Sequence, residues 1–97
     1  MNAPFAPQRQ TRDYQAADAA HHIHAFLDQK ALNAEGPRVI VGGERLHLWD
    51  SEGKRYLDGM SGLWCTQLGY GRRDLTVAAA TQMDQLAYYN MFFHTTH

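Results

Sequence analysis

The stretch from residue 45 to residue 58, RLHLWDSEGKRYLD, limits the possible folds more than any other part of the chain. Leu46 and Leu48 flank His47 in the period-two pattern of a strand and lead into Trp49. Asp50-Ser51-Glu52-Gly53 is a turn signal, and residues 54–58 (KRYLD) supply the return strand. Together they predict a β-hairpin with a short polar loop. Val39, Ile40 and Val41 form a β-branched run just upstream, and Gly42-Gly43 is expected to turn the chain. A hairpin is marginal alone in water, so the flanking segments decide whether the fold holds.

Those flanks read as helical. Residues 14–32 are rich in Ala, Gln, Leu and Lys, and Ala16, Ala19/Ala20, Ile23, Phe26/Leu27 and Ala31 recur at three-to-four spacing. Three histidines interrupt the run, which leaves one helix or two with a bend near residues 24–26. Gly36-Pro37 stops it, because glycine takes the left-handed position after a helix and proline cannot continue one. Leu75, Ala78/Ala79, Gln82/Met83 and Leu86 trace a second helical face over residues 74–87, with Asp74 as the expected N-cap. Residues 63–68 between hairpin and helix are compatible with a further strand. Residues 1–12, polar with prolines at 4 and 7, are expected to form a flexible N-terminal arm.

Size and charge exclude several classes of function. A chain of 97 residues makes one small domain at most and buries only about 60–65% of the surface its unfolded form exposes. With 44% apolar and 20% charged residues it is globular in type, and a net charge of −1 calls for neither nucleic acid nor an anionic membrane. A single cysteine cannot form an internal disulfide, and the N-terminus has no apolar signal core. Both fit a cytoplasmic protein. Residues 88–93 hold four of the eleven aromatics, with only His94-Thr95-Thr96-His97 after them. An aromatic cluster with nothing to cover it predicts an interface or a missing partner element.

No catalytic motif stands out. His21 and His24 would share a helix face, as would His94 and His97 if helical, yet no carboxylate or cysteine stands at a familiar ligand spacing, so no metal site is assigned. Cys65 has no local base and reads as a small buried apolar residue. Asp50, Glu52 and Asp58 suit turn and strand-end roles better than paired acid–base work. Gly69-Tyr70-Gly71 lacks the length and lysine of a phosphate loop. Spacing alone favours a core position for Trp64, in GLWC, with a small-molecule pocket as the other reading, since pocket walls are mainly apolar and aromatic. Phe26, Leu63, Trp64, Phe92 and Phe93 would make such a wall if the fold gathered them.

Five motifs in order settle the comparison with known families. Residues 18–26 (DAAHHIHAF), 48–53 (LWDSEG), 56–65 (YLDGMSGLWC), 69–72 (GYGR) and 88–97 (YYNMFFHTTH) resemble the N-terminal part of class III aminotransferases. The likeness is greatest to the ω-transaminases, including the putrescine–pyruvate type. The resemblance implies an α+β piece, with N-terminal helices, β-hairpin and helix, of the α/β fold type I of pyridoxal-phosphate-dependent transferases. It implies that residues 13–72 belong to the small domain and that residues 73–97 lead toward the large cofactor-binding domain.

By the same resemblance, Phe26, Leu63 and Trp64 line the substrate site, and Phe92 and Phe93 reach it from the other subunit of a homodimer. The substrates implied are an amine or ω-amino acid, putrescine among the candidates, and a keto acid such as pyruvate. The cofactor implied is pyridoxal 5′-phosphate. The family commonly carries proline where Ala25 stands. The phosphate cradle, the aspartate facing the pyridine nitrogen and the cofactor-binding lysine of the family have no counterpart in these residues. Lys30 and Lys54 match no such motif, so no catalytic residue is assigned and the 97 residues alone are expected to be inactive. The alternative is a small non-catalytic interaction module that binds a protein partner through its aromatic C-terminus.

Overall fold

A computed structural model describes residues 4–96. The hairpin is where the sequence predicts it, with one strand more. Strands β1 (Ile40–Glu44), β2 (His47–Asp50) and β3 (Arg55–Leu57) form an antiparallel sheet in the order β1-β2-β3. Trp49 pairs with Gly42 on one side and Arg55 on the other, and a bulge at Val41 shifts the register between Ile40 and Gly42. Asp50 builds the β2–β3 turn. Its Oδ1 accepts from the amides of Glu52 and Lys54 at 3.0 and 2.9 Å, and its Oδ2 accepts from the Tyr56 hydroxyl at 2.7 Å. The Tyr56 bond, reinforced by the two amides against partial loss of water, holds the Asp50 carboxyl below the ordinary carboxylate range.

Gly42 and Gly43 do not turn the chain. Both lie inside β1, and the turn falls at Arg45–Leu46, where Arg45 has φ +53°. The reason is steric. A Cβ on Gly42 would sit 2.2 Å from the Phe5 ring, and one on Gly43 would sit 2.8 Å from the Tyr70 ring. Each glycine makes room for an aromatic from outside the sheet. Phe5, in the segment assigned to an arm, packs against Trp49 with ring centroids 5.4 Å apart and the ring planes inclined at 55°.

The first helical run is two helices, α1 (Thr11–His21) and α2 (Gln29–Glu35), separated by residues 22–28. Asp28 caps α2 by accepting from the amides of Lys30 and Ala31, and Gly36 at φ +81° ends it. Thr11 joins α1 to the β2–β3 turn through Ser51 at 2.6 Å, and Gln15 Nε2 donates to the Pro37 carbonyl at 3.1 Å. Residues 63–68 are not a strand: α3 (Ser61–Trp64) is a single turn of unusual hand, described below. Helix α4 (Arg73–Leu86) forms as expected, but Asp74 is not its cap. It lies within the first turn, paired with Arg72 by two hydrogen bonds of 2.9 and 2.6 Å.

Little of the apolar surface is covered. Among the described residues only Trp49 and Asp50 are buried, and every helix lacks a buried residue. The radius of gyration is 17.8 Å, against about 13 Å for a compact domain of this length. The chain is a small sheet with helices and aromatic segments extending from it. No helix among the described residues is long and apolar enough to cross a membrane.

Candidate functional site

The side chains singled out in the sequence sit on three separate segments. Phe26 is on the loop between α1 and α2, fully exposed, with φ +60°. Asp18, near the end of α1, folds that loop back. Its carboxylate accepts from His24 Nε2 at 2.8 Å and from His22 Nδ1 at 3.1 Å, and the His24 amide donates to Gln29 Oε1 at 2.9 Å. The bond from His24, and after it that from His22, holds the Asp18 carboxyl below its ordinary range against the effect of partial burial. These bonds fix the bend where Ala25 stands in place of proline.

The histidine pair is therefore His22 with His24, not His21 with His24: α1 ends at His21 and His24 lies beyond it. Three potential ligand atoms of Asp18, His22 and His24 lie within 4.8 Å of one another. The Asp18 carboxylate spans both rings at hydrogen-bond distance, a partner that the spacing of the histidines does not single out. The His94–His97 pairing lies outside the described residues.

Leu63 and Trp64 are on α3. Ser61, Gly62, Leu63 and Trp64 have φ of +49°, +58°, +67° and +66°, so this turn is left-handed throughout. The amides of Trp64 and Cys65 bond the carbonyls of Met60 and Ser61 at 2.8 and 2.9 Å. Left-handed backbone disfavours a non-glycine residue by about 1–2 kcal/mol, and three of the four are not glycine. Asp58 holds the start of the turn: Oδ1 accepts from the Met60 amide at 3.1 Å, and Oδ2 from the Gly62 amide at 2.9 Å. The Tyr70 hydroxyl donates to the same Oδ2 at 2.5 Å. That bond is the main cause of a lowered Asp58 carboxyl pKa and of a raised Tyr70 phenol pKa. Cys65 is exposed rather than buried, its thiol donating to the Gly62 carbonyl at 2.9 Å.

Tyr70 is the residue that the sequence reading passed over. Its amide and carbonyl pair with Arg45, and its ring covers Gly43. The signal was there in the flanking glycines: a Cβ on Gly69 would sit 2.8 Å from the Arg45 carbonyl oxygen. That close approach seats the tyrosine against the sheet.

Phe92 and Phe93 follow α4, their rings 6.4 Å apart and edge to face. Asn90 Oδ1 accepts from the Phe92 amide at 3.0 Å, and the Thr95 hydroxyl donates to the carbonyls of Asn90 and Phe92 at 2.8 and 2.7 Å. Phe93 has φ +56°. No ring contact among the described residues joins these two to Phe26 or Trp64. The three segments do not close one pocket within the chain. A hollow of about 220 Å³, bordered by Gln15, Arg38, Asp50 and Tyr56, lies elsewhere and contains neither lysine. Lys54 Nζ sits 5.1 Å over the Tyr56 ring, and Lys30 is exposed at the start of α2.

One feature unites the scattered set. Seven non-glycine residues have left-handed φ among those described, and Phe26, Leu63, Trp64 and Phe93 are four of them. Backbone of this kind persists only where surrounding bonds hold it, and it clusters at functional sites.

No family model matches the chain. Individual proteins do. It is 49% identical over 87 residues to the putrescine–pyruvate aminotransferase of Pseudomonas aeruginosa, covering 90% of this chain and 19% of that enzyme. It superposes on an (S)-enantioselective ω-transaminase from Thermomicrobium roseum with a TM-score of 0.85 and 44% identity, over 91% of this chain and 20% of that one. The ω-transaminase of Pseudomonas jessenii in complex with PMP gives a TM-score of 0.82 and 31% identity, over 86% and 18%. A further neighbour, with a TM-score of 0.83 and 28% identity over 87% and 19%, is a thermostable ω-transaminase variant. It carries glycine in place of a tryptophan and was engineered for asymmetric synthesis of enantiopure bulky amines. The chain spans about a fifth of the length of these relatives.

Proposed function

The chain belongs to the aminotransferases, and from that premise we propose that it is the substrate-facing N-terminal part of a class III transaminase dependent on pyridoxal phosphate. The complete enzyme, a cytoplasmic homodimer, moves an amino group from an amine or ω-amino acid, putrescine among them, to a keto acid such as pyruvate. Phe26, Leu63 and Trp64 form an apolar wall in one subunit's site, and Phe92 and Phe93 contribute to the site of the other. The observation that carries this reading is that four of these five side chains stand on left-handed backbone and all five are exposed. Side chains held in place at local cost, and covered by nothing nearby, serve something outside their own segment.

The cofactor does not fit these residues alone. Neither lysine lines the hollow beside Asp50, and both are exposed. Pyridoxal phosphate would be held by the rest of the enzyme, and the 97 residues by themselves are expected to show no keto-acid-dependent turnover. Their part is to pack the apolar body of the amine, exclude water around it and set the width of the site. One neighbour had a tryptophan replaced by glycine in work aimed at bulky amines, and loss of an indole from an apolar wall widens the site.

The test is made in the Pseudomonas aeruginosa enzyme with its matching segment exchanged for these residues. Trp64→Ala is expected to raise kcat/KM for an aryl amine relative to putrescine by about tenfold or more, the usual scale for reshaping an apolar pocket. An unchanged ratio across several amines contradicts the assignment.

A further inference from the structure

We propose that Tyr70 is a positioning residue that fixes Trp64, acting through Asp58 to hold the left-handed turn in register with the sheet. The inference rests on the reading of Trp64 as a pocket wall. It depends on a continuous set of bonds. Tyr70 is fixed to the sheet by its two backbone bonds with Arg45 and by its ring over Gly43. From there its hydroxyl reaches Asp58 Oδ2 at 2.5 Å. The same carboxylate bonds the amides of Met60 and Gly62, on either side of Ser61, where the left-handed run begins. Leu63 and Trp64 follow directly, and the Trp64 indole has no ring partner among the described residues. With the indole 78% exposed, packing does not set its direction. Its direction is set by the backbone, which Asp58 and Tyr70 hold where the turn begins, while the turn's own amide bonds and the Gln67 side chain on the Trp64 carbonyl hold its end. Gly62 fits the same arrangement, because a Cβ there would meet Thr66 Oγ1 at 2.6 Å and the Tyr70 hydroxyl at 3.1 Å.

Tyr70→Phe keeps the ring over Gly43 and removes only the hydroxyl. In the exchanged full-length enzyme it is expected to raise KM for the amine about fivefold, the scale of one lost hydrogen bond, with kcat within about twofold. Ser61→Gly is the decisive companion. Glycine occupies left-handed backbone without penalty, so Tyr70→Phe/Ser61→Gly is expected to recover the original KM, which a merely packing role for Tyr70 would not allow. Fluorine NMR of 5-fluorotryptophan, with the Trp64 line identified by Trp64→Phe, reads the same effect without turnover. One line is expected in the parent, broadened or split in Tyr70→Phe and sharp again in the double variant. Should Tyr70→Phe fail to assemble, Asp58→Ala removes the acceptor of that bond and is read with the same rescue. If Trp64→Ala shifts amine preference but Tyr70→Phe moves neither KM nor the Trp64 line, the clamp is wrong and the pocket stands. If Trp64→Ala shifts nothing while the Trp64 line still broadens in Tyr70→Phe, the pocket is wrong and the clamp on the turn stands.

Discussion

The two tryptophans lie fifteen residues apart in regions built on opposite terms. Trp49 is 9% exposed, in the central strand, between Gly42 and Arg55, with the Phe5 ring packed against it. Trp64 is 78% exposed on a turn whose backbone runs in the disfavoured hand. The first is held by what it touches. The second is held by what its backbone is bonded to, and its indole is left for something else. The same division runs through the molecule: the sheet completes its own bonds, and the segments bearing Phe26, Trp64 and Phe93 display aromatics that they do not cover.

The largest expected effect separates the two indoles by stability. In the exchanged full-length enzyme, Trp49→Ala should lower the free energy of unfolding by about 3 kcal/mol, and Trp64→Ala by less than about 0.5 kcal/mol. Urea unfolding of each variant checks this, and equal losses would erase the distinction. A smaller effect probes how the sheet admits its aromatics. Gly42→Ala places a methyl where the Phe5 ring lies and should cost about 2 kcal/mol. Phe5→Ala in the same chain should recover part of that loss, because the clash is with the ring.

The smallest effect is the pH response of the turn. Asp58 binds its proton less tightly in the turn than when unfolded. Its contribution is therefore present above the unfolded carboxylate pKa and is lost as pH falls through the lower folded value. Tyr70 behaves oppositely: its raised pKa gives a contribution present below the unfolded phenol pKa and lost as pH rises through the higher folded value. The turn should hold across the whole interval between. Ultraviolet difference titration should show Asp58→Asn shifting the ionisation of one tyrosine to lower pH. No shift would mean that the bond contributes nothing in solution.

The contrast also explains what the sequence reveals. The hairpin is legible because Asp50, Ser51, Glu52 and Gly53 carry their turn in local chemistry, and the end of α2 because Gly36 precedes Pro37. Gly42-Gly43 reads as a turn because nothing nearby in sequence shows that Phe5 and Tyr70 occupy the space of the missing side chains. Residues 63–68 read as a strand by composition, whereas their conformation depends on Asp58 and on Tyr70, partners outside the segment. Spacing alone favours core for Trp64. Motif resemblance points to the pocket, and the hand of the backbone supports that reading from an independent direction. The divided helix is visible in the three histidines. The role of Asp18 is not, because it is defined only once the loop has folded back.

The most direct measurement compares the two indoles with and without substrate. Hydroxyl-radical footprinting of the exchanged full-length enzyme, read by mass spectrometry, gives the oxidation rate of each. Trp49 should oxidise slowly in both states. Trp64 should oxidise readily in the free enzyme and be protected when amine is bound. Oxidation of Trp64 at the same rate with and without amine would contradict the claim that this side chain is held out for the substrate.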